Sequence, residues 1–258
     1  MKRLVIAGNW KMHKTFEETD DFLEELSEFI DDQRDNLGKV DVIVCPPFVY
    51  LEMATDFADE REFFIGAQNV SEHEQGAYTG EISAAMLESL EADFCIVGHS
   101  ERRKYHAEGD ALINAKVKAL QAHKVIPIVC IGETEQERAE GKTFDVLKRQ
   151  FDGCFEGIDA EQGFLIAYEP VWAIGTGNTA TPAQAQEAHA FIRELLLKHF
   201  GEEITNTIPI LYGGSVTPAN IEELMVQQDI DGALIGGASL DIAKFKAMIE
   251  SAIKLSKK

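Results

Sequence analysis

Three side chains of types that move protons beside a carbonyl each follow a short apolar run: Lys11, His99 and Glu169. Glu169 ends the run at residues 164–167 and precedes Pro170, which biases its backbone toward extended and stops a strand there. A carboxylate at the end of a buried strand is costly to hold. The functional reading is a general base, and the structural one is an ion pair inside the fold. His99 comes directly after Gly98 at the end of the run 94–97, where an imidazole could exchange a proton with a ligand, although a single such histidine is more often a packing residue. Lys11 lies just past the run 4–7 and offers an ammonium to an anion or oxyanion, with a surface lysine as the plain alternative. Gly213-Gly214-Ser215 and Gly236-Gly237 follow two later runs. Such glycines suit tight turns, and they also let backbone N–H groups approach a phosphate.

The stretch after Glu169, Pro170-Val171-Trp172-Ala173-Ile174-Gly175-Thr176-Gly177, has a rigid start, an apolar middle and a glycine-containing end. Trp and Ile suit an exposed loop only if they have a surface to cover, so the spacing predicts a lid that excludes water.

These residues need a scaffold that presents strand ends in a ring. Val/Ile-rich runs at 4–7, 40–44, 63–67, 94–97, 125–131, 164–167, 208–211 and 233–235 lack polar alternation, as do strands buried on both faces of a parallel sheet. Between them, Phe22, Leu23, Leu26, Phe29 and Ile30, and later Phe191, Ile192, Leu195 and Leu196, recur at helical spacing. Thr15 with Glu18 and Thr134 with Glu137 fit capping boxes, while Thr181-Pro182 and Thr217-Pro218 place a cap before a first-turn proline. Eight β-α units in 258 residues, with no linker to divide them, predict one closed (β/α)8 barrel, a TIM barrel, as a single domain over residues 1–258. A doubly wound open sheet would gather unusual residues after one or two strands. Here they follow almost every strand, from Asn9 and Lys11 through Cys45, Gln68-Asn69, His99-Ser100-Glu101, Gly132-Glu133 and Glu169 to the glycine doublets.

Other functions are disfavoured. Lys+Arg number 24 against Asp+Glu 45, and a net charge of -21 argues against nucleic acid as a partner. Ten of the carboxylates crowd residues 17–35, a solvated helix face on the ordinary reading. No run is long enough to span a membrane, and the apolar stretch after Met1 is too short for a secretory signal and reads as a first strand. Four widely spaced cysteines without a Cys-x-x-Cys pair suggest reduced, buried thiols and a cytoplasmic setting. No histidine or cysteine grouping has zinc spacing, so no metal is expected. Gly175-x-Gly177 stands five residues away from its strand, and Gly141-Lys142-Thr143 lacks the earlier glycine of a P-loop. Neither is read as a nucleotide site.

Over essentially its whole length the sequence resembles the triosephosphate isomerase family. The resemblance is carried by Ala7-Gly8-Asn9-Trp10-Lys11-Met12, Gly66-Ala67-Gln68-Asn69, Gly76-Ala77-Tyr78-Thr79-Gly80-Glu81, Val97-Gly98-His99-Ser100-Glu101-Arg102-Arg103, Cys130-Ile131-Gly132-Glu133-Thr134, Ala167 through Gly177, Tyr212-Gly213-Gly214-Ser215-Val216 and Ile235-Gly236-Gly237-Ala238-Ser239-Leu240. The resemblance implies interconversion of dihydroxyacetone phosphate and D-glyceraldehyde 3-phosphate through an enediolate, in glycolysis and gluconeogenesis and without a cofactor. It implies Glu169 as the base, His99 and Lys11 as stabilisers of the enediolate, and Asn9 as the residue that orients the lysine and a substrate oxygen. Ile174, Gly175, Ser215, Gly236 and Gly237 are implied as the phosphate site, with Gly214 and Leu234 close by. Glu101, Cys130 and Thr79 take supporting roles. Tyr78, where the family often has Phe, and the acidic first helix are the main departures.

The loop from Gln68 to Gly80 is longer than an ordinary β-α connection. By the resemblance it enters a second subunit, where Thr79 supports Lys11 and His99, and this implies a homodimer. A catalytically silent sugar-phosphate-binding barrel is the alternative, and it would lack the base, the electrophile or the lid. A Schiff-base aldolase using Lys11 would be labelled by borohydride in the presence of substrate.

Overall fold

The apolar runs become eight parallel strands: β1 (Leu4–Asn9), β2 (Val40–Cys45), β3 (Phe64–Ala67), β4 (Phe94–Val97), β5 (Ile126–Ile131), β6 (Leu165–Tyr168), β7 (Ile210–Tyr212) and β8 (Gly232–Ile235). They pair in chain order, and β8 returns to β1, so the sheet closes into a barrel. The structure is a computed structural model and describes residues 3–58, 63–175 and 179–257. The helices are α1 (Phe16–Leu37), α2 (Leu51–Ala58), α3 (Ala84–Ser89), α4 (Ser100–Tyr105), α5 (Asp110–Ala122), α6 (Glu135–Ala139), α7 (Thr143–Phe155), α8 (Pro182–Thr205), α9 (Ile221–Met225) and α10 (Ile242–Ser256). Gly201, at φ 82°, breaks α8 near its end.

Helix starts follow local chemistry. Thr15 and Thr134 make the expected reciprocal capping boxes, and Thr181 caps α8 with Gln184 as its partner. Thr217 does not cap a helix. Its N–H instead donates to Asn220 Oδ1 at 2.8 Å, which closes a turn, and α9 begins only at Ile221. The Asn side chain out-competes the threonine cap because its carbonyl reaches back across the turn. The seventh strand starts at Ile210, later than the run suggests, because Pro209 has no N–H to pair.

The core has two shells. Outward strand residues such as Ile6, Val42, Val44 and Ile166 pack against Leu23, Leu26, Phe151 and Phe245 of the helices. Inward residues Val5, Ala7, Ile43, Cys45, Ile96, Ile128, Cys130, Ala167, Leu211 and Leu234 fill the barrel. This parity of two aims the strand ends. One step beyond Ala7, Ala167, Leu211 and Leu234 come Asn9, Glu169, Gly213 and Gly236, all at one mouth. All four cysteines are free and buried.

Gly132 shows how closely β5 and β6 approach at that mouth. A Cβ there would stand 1.8 Å from the Glu169 carbonyl oxygen, and Gln150 brackets the glycine, accepting from its N–H at 2.7 Å and donating to its carbonyl at 3.2 Å. Gly132→Ala is therefore expected to cost on the order of 3 kcal/mol of stability and most of the activity, because backbone must move. Urea unfolding, with far-ultraviolet circular dichroism to confirm the fold, measures it.

Candidate active site

Glu169 is 2% exposed, and both carboxylate oxygens are engaged. Oε1 lies 2.9 Å from His99 Nε2, and Oε2 accepts from the Ser100 N–H at 2.8 Å. His99 reaches this position because Gly98 breaks the parity of β4. Its φ of +71° turns the chain, and a Cβ there would crowd Ile113 at 3.0 Å and the Cys130 carbonyl at 3.1 Å, so the next side chain points into the mouth. Nδ1 of His99 accepts from the Glu101 N–H at 3.2 Å. An accepting nitrogen carries no proton, so the ring proton belongs to Nε2 and faces Glu169.

The charges follow from these contacts. Burial opposes the charge on Glu169, but His99, the Ser100 N–H and Lys11 outweigh it and hold the carboxyl below its ordinary pKa. Burial also opposes a charged His99; the facing carboxylate of Glu169 more than offsets this, Glu101 adds to it and Lys11 subtracts, so the His99 pKa is raised. That increase belongs to the present arrangement. If Glu169 turned away, the Glu101 N–H at Nδ1 and the start of α4 would favour the neutral ring.

Lys11 has φ 53°, a left-handed backbone rare for a lysine. Its N–H donates to Asn9 Oδ1 at 3.0 Å, and its ammonium lies 2.5 Å from Glu101 Oε1. Asn9, Lys11, His99, Glu169, Ile174, Gly175, Gly214, Ser215, Leu234, Gly236 and Gly237 all line one cavity of about 290 Å³. Lys11, His99 and Glu101 also border a second cavity of about 430 Å³, together with Met12, Phe48, Asn69 and Gly80. Cys130 is buried, and desolvation together with the Glu169 charge pushes its thiol well up, so it stays protonated. Thr79 is exposed on the loop 68–80. No group of three or more His, Cys, Asp or Glu among the described residues could hold a metal.

The turn Gly237–Leu240 begins at the glycine doublet, and its first N–H groups have no partner within the turn, a setting suited to an anion. Ser215 differs from this pattern. Its N–H and its hydroxyl both donate to the Ala173 carbonyl, at 3.1 Å and 2.7 Å, so it holds the stretch that follows Glu169. Thr176 and Gly177 of the expected exit hinge lie outside the described residues.

Glu133 stood out in the sequence only as a strand-end residue, and its role as the anchor of the stretch after Glu169 was missed. Glu133 is fully buried and accepts from Tyr168 Oη at 3.0 Å, from Trp172 Nε1 at 2.9 Å and from Arg138 at 3.0 Å. The Val171 N–H donates to its carbonyl at 3.1 Å, and the Arg138 guanidinium sits 4.4 Å from the Trp172 ring centroid. The available signal was a carboxylate placed directly after a buried strand, the same signal that singled out Glu169.

A closed parallel barrel with a carboxylate, an imidazole and an ammonium converging beside exposed backbone donors defines a (β/α)8-barrel enzyme with its site at the strand C-terminal ends. Comparison with known proteins makes the class specific. Residues 4–252 match the sequence profile of triosephosphate isomerase. The chain is 50% identical to the triosephosphate isomerase of Carboxydothermus hydrogenoformans, over 98% of this chain and 100% of that protein. It is 46% identical to that of Bacteroides fragilis, over 97% and 99%. The crystal structure of triosephosphate isomerase from Bartonella henselae superposes with a TM-score of 0.86 at 39% identity, covering 97% of this chain and 99% of that one. The chain belongs to the triosephosphate isomerase family.

Glu169→Gln removes the charge that raises the His99 pKa, so the ring should titrate at lower pH than in the wild type. Nitrogen-15 NMR of the imidazole measures this, and an unchanged midpoint would mean that the carboxylate is not what holds the ring.

Proposed function

We propose that this chain interconverts dihydroxyacetone phosphate and D-glyceraldehyde 3-phosphate by passing a proton between adjacent carbons. One observation carries the reading: Glu169, His99 and Lys11 border a single cavity with the glycine turn that follows β8. Glu169 acts as the base. In the resting arrangement its charge is satisfied by His99 and Ser100. When substrate draws the carboxylate away from those donors, burial is left uncompensated and its proton affinity rises, as proton abstraction requires. Nε2–H of His99 and the Lys11 ammonium then face the developing oxyanion, where fixed donors in a dry site are effective. Asn9 orients Lys11, Glu101 holds its ammonium from the far side, and Cys130 packs as a neutral thiol below the base.

The phosphate is held by N–H groups of Gly175, Ser215, Gly236 and Gly237, with Ile174, Gly214 and Leu234 lining the pocket. Ser215 must then leave the Ala173 carbonyl, which couples phosphate arrival to lid release. Closure matters because an enediolate beside a phosphate can expel it, and excluding water suppresses that loss.

Assembly as a homodimer is part of the proposal. Residues 74–81 are exposed, and Tyr78 stacks on His73 with ring centroids 3.8 Å apart, which stiffens the loop tip. Met12 is 93% exposed and Val49 78%, and the cavity beside Lys11 and His99 is open to an inserted loop bearing Thr79. No described helix is long and apolar enough to cross a membrane, and we place the enzyme in the cytoplasm.

Glu169→Asp withdraws the carboxylate by about 1 Å and should slow turnover roughly 10²-fold with the fold intact. A coupled assay with glyceraldehyde 3-phosphate reads it, and near-normal turnover would remove Glu169 as the base. Sedimentation equilibrium should return twice the chain mass of 28.6 kDa, and Tyr78→Asp, which puts a charge on the loop tip, should shift the protein toward monomer with lost activity.

A further inference from the structure

The loop from Trp10 to Lys14 runs alongside the turn after β8. At its start, Lys11 lines the same cavity as Gly236 and Gly237. At its far end, the Lys14 ammonium donates to the Leu240 carbonyl at 3.1 Å. Between them, the Ser239 hydroxyl sits within hydrogen-bond reach of the Ile235 and Gly236 carbonyls, at 3.0 and 2.8 Å. Gly8 lets this middle part sit on β1, since a Cβ there would be 3.0 Å from Ser239 Cβ.

Lys14 is built into this place. Its ammonium stands 4.6 Å from the Phe22 ring centroid and 5.2 Å from that of Trp10, a geometry that holds a cation over aromatic faces. Glu18 and Asp241 are the charged groups that act on it. Its carbonyl accepts from Tyr50 Oη at 3.2 Å, which ties the same residue to the segment after β2. Its φ is 75°, so the lysine occupies a backbone region that glycine would adopt more readily, as Lys11 does three residues earlier.

We propose that Lys14 is a positioning residue for substrate phosphate. By tying Leu240 to the loop after β1, it holds in place the turn that carries the N–H groups of Gly236 and Gly237, while Asn9 and Glu101 hold Lys11 independently. This rests on the reading of that turn as the phosphate cradle. Lys14 touches no reacting atom, so its effect falls on the grip on phosphate and leaves the proton transfer alone.

Lys14→Met keeps the apolar stem between Trp10 and Phe22 and removes the cation and donor. It should raise KM for glyceraldehyde 3-phosphate and Kd for 2-phosphoglycolate about 5- to 10-fold, the size of one lost charge-assisted hydrogen bond. Turnover at saturation and kcat/KM for phosphate-free glyceraldehyde should stay within about twofold, and Lys14→Arg should restore most of the affinity. A folded Lys14→Met variant with unchanged KM and Kd, or one that loses equally on glyceraldehyde, overturns the assignment. If that variant does not fold, Lys14→Gln is read by the same criteria. Failure of the wild type to bind 2-phosphoglycolate would instead remove the phosphate reading itself.

Discussion

The site depends on keeping one carboxylate charged where water does not reach it. Glu169 is held by a single imidazole N–H and a single backbone N–H, and both come from the segment His99–Ser100 at the end of β4. Neither donor would be in place without Gly98, whose left-handed backbone lets the chain leave the strand with the histidine turned inward. The base, in turn, reaches the mouth only because Gly132 admits the Glu169 backbone against β5. The chemistry proposed for this mouth thus rests on two glycines that touch no substrate.

A closed barrel makes such an arrangement economical in sequence. Strand parity points every second residue inward, so the residue one step past the last inward apolar side chain faces the mouth without further design. Asn9, Glu169, Gly213 and Gly236 are delivered this way, and only His99 and Lys11 need special backbone. Ten of the carboxylates lie on α1 and face outward, whereas at the mouth the carboxylates of Glu169 and Glu101 stand beside His99 and Lys11.

Most of this architecture was legible in the residues. The eight strands, the two helix faces and three of the four threonine caps are local properties of pattern and short-range hydrogen bonding, and they form where the sequence indicates, except that β7 starts two residues late, after Pro209. Thr217 misled because a competing Asn three residues on satisfies the backbone better, and propensity does not rank two local solutions. The residues lining the candidate site were legible as types at strand ends. Their contacts were not, because Glu133, Tyr168, Trp172 and Arg138 meet only after β5, β6 and α6 are side by side. The occupation of both Ser215 donors by Ala173, and the reach of Lys14 to Leu240, likewise join segments far apart in the chain.

These long-range contacts share a feature that bears on function. The segments expected to hold phosphate are each bonded to a segment that carries a chemical group: Ser215 to the stretch following Glu169, and the turn after Gly236 to the loop bearing Lys11. A phosphate that draws Ser215 away from Ala173 therefore acts on the chain next to the base. Binding energy gathered at the inert end of a small substrate can thus be transmitted through backbone to the reacting end. Effects spent in this way raise turnover where simple tight binding would not. A barrel whose Ser215 floated free of the stretch after Glu169 could bind the same ligand equally well and would lack that route to catalysis.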